Sequence, residues 1–293
     1  MSAPTERSDP TGEAIDAVDG DRAPSTTAVL KHLVRRELST ALRFRTYVGL
    51  WFGLVGVLLA ITWFGGGVSV GYVSTIIDLL TPLELLIPVL AFTFGYRAIL
   101  DDERRGVLDV LRTYPLSPWQ VVAGVYLGRA IALVTVVSTA LSFLMFPIVV
   151  TESYRPLFYA THTGADSPGL FLRFVVLTAV FALVVLAVSI AVSALVSTAR
   201  TAIVTVGLVL FALLFLADIT LVFGLSRGLF EEAALVNSLA FSPLSAYRGL
   251  VLETTVVVTA GTGPRTASPL VSVLGLCVWW LGSLAVAAVA IRR

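Results

Sequence analysis

The chain has 293 residues, 57% of them apolar and only 13% charged, with a mean hydropathy of +0.93 and a formal net charge of +1. A soluble domain carries about 25% charged residues to keep its surface solvated. This composition therefore excludes a soluble enzyme or soluble binding module and requires much of the surface to face lipid. The single cysteine, Cys277, has no partner in the chain for a disulfide and reads as a packing residue in an apolar stretch.

Residues 1–26 are a polar tail. Its first 21 residues hold Glu6, Asp9, Glu13, Asp16, Asp19 and Asp21 against Arg7, with no apolar run of the kind a signal peptide needs. Such a segment cannot bury enough apolar surface to order itself. Lys31 is the one lysine among 20 basic residues; with the acidic tail this suits a salt-loving host, although GC-rich coding gives the same bias. Residues 27–45 form an amphipathic helix. Leu30, Leu33, Val34, Leu38, Ala41 and Leu42 recur at helical spacing, and Lys31, Arg35, Arg36, Arg43 and Arg45 stay largely off that stripe. A basic amphipathic helix lies in the headgroup plane of anionic lipid.

Six runs beyond it are long and apolar enough to cross about 30 Å of hydrocarbon. Their expected limits are about 47–64, 82–100, 121–150, 170–196, 201–223 and 269–291. Five dipeptides fix helix starts: Thr81-Pro82, Ser117-Pro118, Ser167-Pro168, Ser242-Pro243 and Ser268-Pro269. Each offers a hydroxyl at N-cap and a proline at the first helical position, where its missing N–H costs nothing. Glu84 after Thr81 and Gln120 after Ser117 would complete capping boxes. Arg129, about two turns into the third run, is close enough to an interface to snorkel.

The basic residues set an orientation. Fifteen of the 20 fall before the first span, around 97–129, at Arg200 and at Arg292–Arg293, against five at Arg155, Arg173, Arg227, Arg248 and Arg265. The excess marks the cytoplasmic side, so both termini and residues 101–120 are expected inside and residues 224–267 outside. The outer segment should hold a helix over 243–258, with Leu244, Tyr247, Val251 and Leu252 as its apolar stripe and Arg248 and Glu253 in solvent.

The cytoplasmic segment runs Asp101-Asp102-Glu103-Arg104-Arg105-Gly106-Val107-Leu108-Asp109-Val110-Leu111-Arg112-Thr113-Tyr114-Pro115. It reads as a short helix with one apolar stripe, Val107, Leu108, Leu111 and Tyr114, ended by Pro115. The pattern acidic-Arg-x-Gly-x-Leu-x-x-Leu-x-x-x-Pro-x-Ser resembles the coupling segment of ABC-2 type permeases of ATP-binding-cassette transporters. The N-terminal elbow helix, the six spans and the long outer segment before the last span are similar to that family too. One departure is Gly124-Val125, where such permeases often carry Gly-Lys.

The resemblance implies an all-α polytopic membrane protein with an elbow helix, a cytoplasmic coupling helix and an outer-loop helix. It implies a multi-pass cell-membrane subunit that forms a homodimer or heterodimer with a second permease and binds a cytoplasmic ATPase holding ATP and Mg. Asp102, Glu103, Arg104, Gly106, Leu108, Asp109, Leu111, Arg112 and Pro115 would form the ATPase contact. Ser242-Pro243-Leu244-Ser245-Ala246-Tyr247-Arg248 is similar to the Asn-Pro-x-x-Ala-Phe/Tyr-Arg stretch of Nos-type permeases linked to copper-centre maturation, with Ser for Asn. That likeness assigns Ser242, Pro243, Tyr247 and Arg248 to an extracytoplasmic partner or an outer gate.

No catalytic residue is expected. A phosphate-binding loop needs Gly-Lys-Ser/Thr, and the one lysine is followed by His32, so ATP must be hydrolysed by another polypeptide. His32 and His162 fall on opposite sides of the expected topology and cannot share a site. No Gly-x-Ser-Gly and no His-Glu-x-x-His supports a protease. Soft copper ligands are scarce, so no metal site, bound cofactor or nucleic-acid partner is expected; membrane lipid is. Asp218, three-quarters through the fifth span and toward its outer end, is the clearest intramembrane charge and reads equally as lining an outward cavity or as reaching the interface. Two other classes stay open on the sequence: an ATP-independent secondary transporter, and a membrane scaffold for a maturation complex.

Overall fold

The computed structural model describes residues 34–35, 45–66, 71–106, 117–152, 166–216, 242–257 and 268–291, together with 219, 223 and 227. Every regular element among them is helical. In chain order they are α1 (Arg45–Gly65), α2 (Tyr72–Gly95), α3 (Leu100–Arg104), α4 (Pro118–Phe143), α5 (Met145–Glu152), α6 (Pro168–Leu195), α7 (Ala199–Phe211), α8 (Pro243–Val251) and α9 (Pro269–Ala290). A π-type turn extends α7 over Ala212–Leu216, and another extends α8 over Leu252–Val256. Six stretches are long and apolar enough to span a membrane: Tyr47–Gly65, Tyr72–Arg104, Pro118–Val150, Pro168–Leu195, Ala199–Leu216 and Pro269–Ala290. Of the expected elbow helix, Val34, Arg35 and Arg45 are described; all three are helical, and Arg45 opens α1.

The centre of the bundle is α6. Phe171, Phe174, Phe181, Val185, Leu186 and Ile190 are buried along it, and α2, α4, α8 and α9 all pack on it. Its all-round apolar sequence suits a helix enclosed by others. By contrast α1, α7 and α9 leave large apolar residues uncovered, among them Phe52, Trp63, Leu208, Phe211, Leu274 and Val278. Cys277 lies on that outward face of α9, not in the packing.

Four of the five hydroxyl–proline boundaries hold: α4, α6, α8 and α9 begin at Pro118, Pro168, Pro243 and Pro269. Gln120 Oε1 accepts from Ser117 N at 2.8 Å, one arm of the expected capping box. At Ser167, Ser242 and Ser268 the hydroxyl makes no cap bond; there the fixed φ of proline carries the boundary. The start of α7 is capped by Thr198 and Thr201, each hydroxyl accepting from the other's backbone N–H at 3.1 and 3.2 Å.

Thr81-Pro82 fails as a helix start. The second span begins ten residues earlier at Tyr72 and runs through Pro82 and Pro88. Prolines are tolerated inside membrane helices because neighbouring elements re-satisfy the backbone groups they disturb. The true start is capped from a distance: Asp166 Oδ2 accepts from Tyr72 N at 3.0 Å and Oδ1 from Val73 N at 3.1 Å. Gly71 makes room for that carboxylate, since a Cβ there would overlap Asp166 Oδ2, and its φ of +140° suits glycine.

At the opposite end of the bundle Ser193 Oγ accepts from Ile99 N at 3.0 Å and Leu100 N at 3.2 Å. Close by, the Arg129 guanidinium donates to the carbonyl of Phe94 in the last turn of α2. Arg129 thus turns into the bundle to meet helix-terminal carbonyls, a favourable place for a cation, and does not simply snorkel.

Candidate functional site

Two places on the bundle gather the residues expected to carry function. The first is α3, which follows α2 at the Ser193 end. Asp101, Asp102 and Glu103 occupy its first turn and Arg104 its last, so the charges run with the helix dipole. Leu100 is fully buried, while Glu103, Arg104 and Arg105 are exposed. The helix closes on Gly106, whose φ of +68° favours glycine and whose N–H donates to Glu103 O at 3.0 Å. Ser193 holds the start of this charged element against α6. Leu108, Asp109, Leu111, Arg112 and Pro115 lie outside the described residues, as does Asp218.

The second place is α8. The expected helix forms, but it is embedded in the bundle and not laid on an outer surface. Pro243, Leu244, Ser245, Ala246, Tyr247, Gly249, Leu250 and Val251 are all buried. Ala246 and Leu250 pack with Val184 of α6 and Leu276 of α9. The Tyr247 ring stacks on Phe181 at a centroid distance of 4.6 Å, and its hydroxyl lies 2.9 Å from Thr178 Oγ1. Higher on the same face, an Arg173 guanidinium N–H donates to Thr254 O at 2.6 Å. At 1.5 Å per residue, Arg173 and Thr178 lie about 8 and 15 Å from the start of α6. The helix beginning at Pro243 therefore rises from the interior toward the Asp166 end.

Its one cation reaches across to α2. Arg248 Nε donates to Glu84 Oε1 at 2.6 Å, and Nη2 donates to Oε2, the two-pronged geometry that suits guanidinium to carboxylate. The Glu84 side chain is 5% exposed and that of Arg248 41%. Glu84 lies twelve residues into α2, about 18 Å along the helix, at the level of Tyr247. One expectation is corrected here and one extended: Glu84 closes no capping box, because α2 is already three turns long at that point, and Arg248, expected in solvent, is partly exposed but also pairs with Glu84. Removing one partner of a fully buried pair costs about 3–5 kcal/mol; the partial exposure of Arg248 puts this pair lower.

The motif singled out Arg248, and charge placement would have found its partner: Glu84 interrupts the apolar run of α2, and an intramembrane charge calls for a partner of opposite sign. A third polar link ties α4, α6 and α9: Trp280 Nε1 donates to the Tyr126 hydroxyl at 2.8 Å, which donates to Leu183 O at 3.1 Å. Among the described residues, no three His, Cys, Asp or Glu side chains gather where they could hold a metal ion.

Comparison with known proteins supplies the family. Two similar proteins are each called "Probable ABC transporter permease protein NosY". The one from Pseudomonas aeruginosa is 35% identical over 108 residues, which are 34% of this chain and 38% of that protein. The one from Stutzerimonas stutzeri is 31% identical over 107 residues, 35% of this chain and 39% of that protein. The chain thus covers about two fifths of the length of the curated relatives it matches. Members of ABC permease families are non-catalytic membrane subunits that bind no cofactor themselves. Residues 6–293 match the family described as ABC-2 family transporter protein, so the chain belongs to the ABC-2 family.

Proposed function

We propose that this chain is the membrane permease subunit of an ATP-binding-cassette transporter, driven by a separate cytoplasmic ATPase and paired with a second permease copy. The observation that carries the reading is the continuity of α2 with α3. A buried membrane helix passes directly into a charged element whose start is held by Ser193 and whose acidic-Arg-x-Gly sequence opens the coupling pattern. In this reading α3 and the segment after it seat in the ATPase cleft, with Leu108 and Leu111 as the apolar contacts. Both termini lie in the cytoplasm, following the basic-residue bias. Ser242, Pro243 and Tyr247, expected to meet an extracytoplasmic partner or form an outer gate, are buried against the bundle, so the 242–248 stretch would act on such a partner only indirectly, by moving with the helices around it.

The test is Leu108→Asp, scored by co-purification with the partner ATPase. Losing a buried leucine contact costs about 2–5 kcal/mol and an unpaired buried charge adds to it. Complex formation is expected to fail while the permease still inserts in the membrane. Full complex formation and undiminished ATP turnover would remove this segment as the coupling element.

A further inference from the structure

The prolines of α2 have a consequence at Glu84. In an α-helix each N–H donates to the carbonyl four residues back, and proline has no N–H to give. Pro88 therefore removes the helical hydrogen bond to the carbonyl of Glu84, and Pro82 removes the one to Asp78. Two missing rungs within a turn and a half make 78–88 the part of α2 where bending costs least. The middle of that stretch is where α2 grips α8 through the two-pronged Glu84–Arg248 pair. Below it α2 leads to α3 and Gly106; above it α8 continues to Val256 through a π-type turn.

We propose that Glu84 and Arg248 are positioning residues that convert bending of α2 at its paired prolines into movement of the embedded segment 243–257. The pair links an element at the Ser193 end to one that rises to the Asp166 end. Tyr247 and Thr178 act as the pivot on α6, since stacking on Phe181 holds the ring while the guanidinium is pulled sideways. The arrangement suits transmission better than simple packing. The apolar faces of α8 already seat it against α6 and α9, and an ion pair in that setting adds direction at the cost of desolvating the Glu84 carboxylate. The inference rests on the permease reading, because ATP closure at α3 supplies the displacement.

The experiment follows backbone hydrogen exchange in the purified permease–ATPase complex, with and without ATP and vanadate. In the native complex, trapping should change exchange about tenfold in 100–106 and in 243–257. Glu84→Gln should retain the change in 100–106, retain ATP hydrolysis, and lose the change in 243–257. Because a single substitution can weaken folding, a second protein carries Glu84→Cys, Arg248→Cys and Cys277→Ala. Joining its two thiols with a short bis-methanethiosulfonate should restore the response of 243–257, and reduction should remove it again. A response of 243–257 that survives in Glu84→Gln or in the unjoined double-cysteine protein overturns the proposal. So does a native complex in which 100–106 responds and 243–257 does not, an outcome that leaves the permease reading standing. Absence of any response at 100–106 counts against the permease reading itself.

Discussion

Asp166 is a residue whose importance comes from where its neighbours fold. Its carboxylate takes two amides at the start of α2 from 94 and 93 positions away. Orphan amides at a helix start are expensive near hydrocarbon, where water does not reach them. Asp166→Ala should destabilise the detergent-solubilised protein by about 0.5–2 kcal/mol, the usual worth of a cap. Asp166→Asn, which keeps one acceptor oxygen, should recover part of that loss. Thermal unfolding followed by circular dichroism would measure both; an alanine variant that melts with the native protein would show the cap contributes nothing. From sequence this aspartate was one polar residue in Thr161-His162-Thr163-Gly164-Ala165-Asp166. Its role was illegible because the amides it serves were assigned to a loop.

At the scale of the helix, one dipeptide class has two meanings. Ser-Pro at 117, 167, 242 and 268 opens helices, whereas Thr81-Pro82 interrupts one. The difference lies upstream. Tyr72 to Leu80 already has helical periodicity, with Tyr72, Thr75, Ile76, Leu79 and Leu80 buried on one side, and Asp78 disguises it as the edge of a loop. Pro82→Ala tests this reading. An interior proline costs about 3 kcal/mol in a helix, so alanine should stabilise α2 by an amount up to that figure, visible as a raised melting temperature. A true helix start would lose stability instead. If the bend at the prolines transmits motion, the same variant should blunt the nucleotide response of 243–257 despite melting higher.

For the whole molecule, the sequence sufficed to count the spans, because apolar length and proline boundaries are local properties. It did not suffice to place α8, because a short helix with buried alternatives on α6 and α9 looks the same from sequence as one lying outside. Local patterning also cannot say which side is which; the basic-residue bias carries that proposal. Cysteines introduced singly at Asp109 and Thr262, in a Cys277→Ala background, should react with impermeant maleimide from opposite faces of sealed vesicles. The background substitution is needed because Cys277 is exposed. Reaction of both from the same face would overturn the orientation.

The ion pair joins residues 164 positions apart in the chain, and this separation has a consequence for synthesis. At about 5–20 residues per second, Glu84 is made on the order of 10–30 s before its arginine leaves the ribosome. During that interval α2 must enter the bilayer with a carboxylate lacking its final counter-charge, or wait beside the insertion machinery. Although α2 can pack on α6 earlier, its charge is matched only when the last sixth of the chain arrives. Nascent chains arrested before residue 248 should accordingly be degraded faster than chains arrested after it, and Glu84→Gln should narrow the gap.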